Sequence, residues 1–111
     1  MELFSFDFQG HQFALNIDID KQLESLVVDG VEVSVKFAIS AVSFHEFEND
    51  ALGHVRLDFE AHPEIQQANY QLSINHVAVV NALVDLKGTA KEAVIEGDAL
   101  VVQPPSVRAV T

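Results

Sequence analysis

LVVDGVEVSVKFAIS, residues 26–40, carries Asp29-Gly30 between two runs of alternating apolar and polar residues. Asp-Gly supplies the two positive-φ positions of a tight turn whose twist matches the strands it joins, so the stretch reads as a β-hairpin. Closing on that pair sets Val28 opposite Val31 and Leu26 opposite Val33. Val35, Phe37, Ile39 and Ala41 extend one face, and Glu32, Ser34, Lys36 and Ser40 extend the other. Strand side chains alternate between faces, so this is a long strand with one wet side.

Upstream, FSFDFQGHQFALNI (residues 4–17) repeats the pattern around a glycine. A Gly10-His11 loop, with glycine at the positive-φ position of a type II′ turn, predicts Phe8 facing Phe13, Phe6 facing Leu15 and Phe4 facing Ile17. Closing on Gln9-Gly10 keeps the phenylalanines together as well. Such cross-strand pairs each contribute roughly 0.2–1 kcal/mol relative to alanine pairs.

Downstream, ENDALG (48–53) breaks the alternation as a loop, and HVRLDFEA (54–61) restores it with Val55, Leu57 and Phe59 on the apolar side. Pro63 stops that strand, leaving EIQQAN (64–69) for a single helical turn. YQLSINHVAVV (70–80) predicts a third hairpin around Asn75 and His76. Residues 82–94 mix a loose helical stripe with Gly88. They read as a strand ending near Leu86, then a turn or short helical piece. EAVIEGDALVV (92–102) closes on Gly97-Asp98, pairing Ile95 with Leu100 and Ala93 with Val102. The tail, PPSVRAVT, begins with two prolines that cannot donate ladder hydrogen bonds and is expected to be extended and mobile. LVVDGVEVS (26–34) lines up with LSINHVAVV (72–80), and Gly10-His11 with Gly53-His54. A chain this rich in valine and leucine produces such matches by hairpin chemistry alone.

The expected fold is therefore an all-β antiparallel domain over residues 1–103, with 104–111 as a C-terminal tail. About seven to nine strands would form a sandwich or flattened barrel built from hairpins, with little helix. The 111 residues, 49% of them apolar and 21% charged, are enough for one core and too hydrophobic for a disordered chain.

The net charge of -11 opposes direct contact with phosphate backbones and favours basic protein surfaces. Without cysteine there is no disulfide framework, thiolate zinc site or cysteine nucleophile. No phosphate-binding glycine loop or dinucleotide fingerprint is present. No segment reads as a signal peptide or membrane span, which gives a soluble, cytoplasmic expectation.

Five histidines are the obvious bases near neutral pH. His45 and His54, amid Glu46, Glu48 and Asp50, are the candidate metal ligands, although their spacing matches no established zinc or nickel motif. His54, Arg56, Asp58 and Glu60 line one face of a strand as ordinary solvated charges, with no activated nucleophile beside them. The chain is thus expected to be non-enzymatic and free of cofactors. Phe44 and Phe47 flank the acidic loop, whereas Phe4, Phe6, Phe8, Phe13, Phe37 and Phe59 fall on expected core faces.

Phe44, Glu46, Phe47, Glu48 and Asp50 form the candidate contact surface of a protein-interaction module whose partner has a basic surface. The alternative is a carrier of a small apolar ligand in a cavity inside the sheet. Edge strands leave room for a homodimer.

Overall fold

A computed structural model describes residues 1–102, so the expected tail at 104–111 lies outside the described residues. Its first sheet is a meander of β1 (Glu2–Phe8), β2 (His11–Asp18), β3 (Leu23–Val28) and β4 (Val31–Lys36). The second repeats that order with β5 (Val42–Asn49), β6 (Gly53–His62), β7 (Gln67–Ile74) and β8 (Val77–Asp85). A final hairpin, β9 (Ala93–Glu96) and β10 (Ala99–Val102), follows. Every pairing is antiparallel. The described strands number ten, more than the pattern suggested, because the long strand expected from Val31 to Ala41 ends at Lys36 and a separate β5 starts at Val42.

The two large sheets pack face to face, and aromatic rings fill the space between them. Phe6 stacks on Tyr70 at 4.0 Å between centroids and on Phe13 at 5.0 Å, and Phe4 meets Phe59 edge-on at 5.5 Å. Leu15, Leu26, Leu57 and Leu72 are buried around them. Burial pushes the Tyr70 phenol pKa up. β1 lies beside β8 and β4 beside β5, so the sandwich has the outline of a flattened barrel. The Lys87 N–H donates to the Leu3 carbonyl at 3.0 Å just beyond β8 and closes one corner.

The first hairpin closes on Gln9 and Gly10, both at positive φ, and pairs Phe8 with His11, Phe6 with Phe13 and Phe4 with Leu15. The Gly10-His11 register gives way because a type I′ turn needs positive φ at both central positions and accepts glycine in the second, as Asp29-Gly30 does. Asp29-Gly30 and Asn75-His76 turn where expected.

Beyond Asp29-Gly30 the alternation changes phase. Val28 faces Val31, but Leu26 faces Ser34 rather than Val33, because Val33 is an extra residue in a β-bulge. A one-residue slip sends the side chains that follow it within the strand to the opposite face, whereas Ile39 and Ala41, beyond β4, are buried as expected. Ser34 consequently turns inward and is half-buried, and the half-buried Lys36 carries its Nζ to the Phe44 ring at the sheet edge, while Phe37, expected in the core, is 84% exposed.

A short 3₁₀ turn spans Pro63–Ile65, where its proline fits the first turn, so β7 already begins within EIQQAN. A second, Gly88–Glu92, fills the ambiguous stretch after β8. The last hairpin pairs Ile95 with Leu100 and Ala93 with Val102, as read from the sequence. It seats on the segment before β5: the Ala41 N–H donates to the Asp98 carbonyl at 3.2 Å and the Leu100 N–H to the Ile39 carbonyl at 3.4 Å. No described helix is long and apolar enough to cross a membrane.

Candidate functional site

β5 and β6 are long, regular partners: β6 turns Val55, Leu57, Phe59 and Ala61 inward and polar residues outward, whereas β5 turns Ser43, His45 and Phe47 inward and Val42, Phe44, Glu46 and Glu48 outward. Their outward face gathers most of the residues singled out above. Phe44 is 40% exposed, with Lys36 Nζ at 3.7 Å and Arg56 Cζ at 4.1 Å from its ring centre. A cation over a ring is drawn to its negative face, so the two basic side chains hold this phenyl group in place. Arg56 also donates two bonds to Asp58 Oδ1 and Oδ2 from Nε, at 3.2 and 3.0 Å, and one to Glu46 Oε1 at 3.0 Å. The bonds to Asp58, followed by those to Glu46, hold the guanidinium pKa above its ordinary value.

His54 lies on the same face, 2.8 Å from Glu48 and stacked on His76 at 5.0 Å. Asp50 is exposed in the β5–β6 turn, where Asn49 Oδ1 accepts the Ala51 and Leu52 N–H groups at 2.8 Å. Phe44, Glu46 and Glu48 thus project from one face of β5, and Asp50 lies in the turn at its end. Phe47 points the other way and meets Phe13 across the core at 6.4 Å. It has odd-numbered parity on β5 along with His45, whereas Phe44, Glu46 and Glu48 have even. His45 and His54 therefore lie on opposite faces of the sheet and cannot share an ion. Among the described residues, no three histidines, aspartates or glutamates form a metal-holding group.

His45 belongs to a network that was not singled out from the sequence. Its Nε2 lies 2.8 Å from Glu24 Oε2 and its Nδ1 2.8 Å from the Ser34 hydroxyl, and both His45 and Glu24 are fully buried. Ser43 donates to Glu24 Oε2 at 2.7 Å and the Ser40 N–H to Oε1 at 3.4 Å. Ser34, His45 and Glu24 stand in the hydroxyl–imidazole–carboxylate order of a nucleophile relay. Here the imidazole and carboxylate are sealed from solvent, and Ser43 and Ser40 also donate to the carboxylate. The network ties β3 and β4 of one sheet to β5 of the other across a corner without a backbone ladder.

The legible sign was Glu24, at period two with Leu26 and Val28 on an apolar face. Ser34 carried none, because only the bulge turns it inward.

Two hollows open beside the outward face of the second sheet. One, of about 230 Å³, lies over Asp58, Glu60, Asn69, Gln71 and Asn81, and the other, of about 700 Å³, separates Val42, Glu60 and His62 from Ile95 and Asp98 of the last hairpin. No family model, curated protein or solved structure matches the chain.

Proposed function

We propose that the domain is a non-enzymatic interaction module that binds a protein partner with a basic surface through the outward face of β5 and β6. The observation that carries this reading is the Phe44 ring, 40% exposed and fixed between Lys36 and Arg56 inside a field of carboxylates. Glu46, Glu48, Asp58 and Glu60 project from the same face, and Arg56 is already engaged by two of them. The face therefore keeps a net negative potential that steers cationic partners. Phe37 and Val42, at 84% and 65% exposed, add apolar surface where β4 gives way to β5. An ordered aromatic among charges suits a contact surface, since little conformational entropy is lost when it is covered.

Fluorescence anisotropy with labelled tetralysine tests the reading. The variant Glu46→Lys, Glu48→Lys, Asp50→Lys should bind at least about tenfold more weakly at low salt, with the difference shrinking as salt is added. Equal binding by the wild-type and charge-reversed proteins would sink the assignment of this face.

A further inference from the structure

Val42 and Glu60 line both hollows, which sets the two side by side as a groove across the strands of the second sheet, with its far end at the last hairpin. Along its floor the register places Asp58, Gln71 and Asn81 in one row, with Glu60 and Asn69 side by side in the next. Asp58 is occupied by Arg56. Among the described residues, the carboxamides of Asn69, Gln71 and Asn81 make no hydrogen bond to the protein. Each offers two donors and an acceptor within one hollow. That set matches the alternating N–H and C=O groups of a polypeptide, and it sits on an outward face whose own backbone groups are already committed to the sheet ladders.

At the far end the groove deepens between sheet and hairpin. Ala41, Ala61, Val42 and Ile95 give it apolar walls, and Glu60, Asp98 and His62 give it polar ones. Among the described residues, Glu60 has only the His62 imidazole within ion-pair distance, at 4.0 Å, and the Asp98 side chain makes no hydrogen bond or ion pair. A long apolar stem ending in a cation fits such walls, with the methylenes against alanine, valine and isoleucine and the charge between the two carboxylates.

We propose that this groove binds a short extended polypeptide segment lying across the strands, its backbone held by Asn69, Gln71 and Asn81 and one arginine or lysine side chain placed between Glu60 and Asp98. From β8 to β5 the path covers three strand spacings, about 14 Å, or roughly four residues of extended chain. The inference deepens the interaction-module reading and rests on it: it gives the basic partner a linear form and a second contact region beside the Phe44 face. A sugar chain is the weaker fit, since the lone tyrosine is buried beneath the sheet and the Phe44 ring already carries Lys36 and Arg56.

The test is a ¹⁵N–¹H NMR titration of the described protein with a blocked alanine hexapeptide carrying one central arginine, with its citrulline counterpart and with maltotriose. The arginine peptide should shift the side-chain NH₂ signals of Asn69, Gln71 and Asn81 and the backbone amides of Gly97 and Asp98. Replacing those three carboxamides together by alanine should weaken it about tenfold. Glu60→Gln with Asp98→Asn should erase the preference for arginine over citrulline. All five side chains lie outside the core, so unchanged spectral dispersion will show that the variants fold.

Shifts confined to Phe44, Glu46 and Glu48 would overturn the groove while leaving the basic-partner reading standing. No shift anywhere on the second sheet would overturn both. Carboxamide shifts with maltotriose and none with the peptide would replace the polypeptide by a glycan.

Discussion

The two meanders, β1–β4 and β5–β8, meet the same backbone requirement with different side chains. In the first, the Asp29 N–H donates to the Gln12 carbonyl at 2.8 Å and Asp29 Oδ1 accepts the Gln12 N–H at 2.8 Å. In the second, the Asn75 N–H donates to the His54 carbonyl at 2.8 Å and Asn75 Oδ1 accepts the His54 N–H at 3.0 Å. Both locks join the turn of the second hairpin to the start of the second strand, and both second hairpins carry a bulge, after Leu26 and after Leu72.

The residue beside each lock differs. His11 bonds Asp29 Oδ2 at 2.7 Å, whereas the matching Gly53, at φ 98°, leaves so little room that a Cβ would lie 2.6 Å from Asn75 Oδ1. One half adds a side-chain hydrogen-bond partner and the other removes a side chain. The match between LVVDGVEVS and LSINHVAVV therefore reflects a shared three-dimensional device, two turns locked by an Asx oxygen, in addition to shared composition.

The halves also part at their corners. Past its bulge β4 turns Ser34 inward toward His45 and Glu24, while β8 turns Val80, Ala82 and Val84 onto the core. One corner is joined by a buried polar network, and the other by apolar packing together with the Lys87–Leu3 backbone bond and an exposed Lys87–Glu2 ion pair.

The largest expected effect follows from that difference. His45→Ala leaves Glu24 buried with its main partner gone and should cost about 3–5 kcal/mol in urea unfolding. Val84→Ala, at the apolar corner, removes only part of a half-buried side chain and should cost about 1 kcal/mol. Equal losses would mean that the polar joint holds the corner no more firmly than packing does.

Gly53→Ala comes next. It adds a steric clash with Asn75 to positive-φ strain and should cost about 2–3 kcal/mol. Gly10→Ala, with nothing within 4 Å of its added carbon, should cost only about 1 kcal/mol. Thermal unfolding of the two variants will separate crowding from strain.

The smallest effect concerns pH. The bond from the Gln12 N–H, followed by that from His11, holds the Asp29 carboxyl below its ordinary value of 3.8. A group whose pKa is lower in the folded state adds stability that is fully present above its unfolded value and is lost as pH falls through the folded one. Asp29→Asn should therefore lower stability slightly at pH 7 and flatten its decline between pH 4 and 2. Asn75→Asp should steepen that decline. Urea midpoints measured across that range give the comparison, and matched slopes in all three proteins would break it.

Hairpins and strand order were largely legible because turn chemistry is local. Asp29-Gly30, Asn75-His76 and Gly97-Asp98 each announce their geometry in two residues. The bulge at Val33 was not legible: it is fixed by packing between sheets, and nothing in VEVSVKF marks the extra residue. That single slip moved Phe37 out of the expected core and brought Ser34 in. Of the candidate contact residues, Phe44, Glu46 and Glu48 share one face of β5 and Asp50 lies in the turn at its end, while Phe47 fell to the inner face by the parity of β5. The groove carboxamides escaped notice because Asn69, Gln71 and Asn81 lie on two strands far apart from Asp98 in sequence.

The outward faces of the two sheets offer the most direct test of function. Ser5, Ala14 and Val27 form the middle row of the first, and Glu46 and Arg56 pair on the second. Chemical-shift mapping with tetralysine at low ionic strength should move the amides of Phe44, Glu46, Arg56 and Glu60 and leave those of Ser5, Ala14 and Val27 in place. Shifts centred on the first sheet, or spread evenly over both, would contradict the assignment of the second sheet as the interaction face.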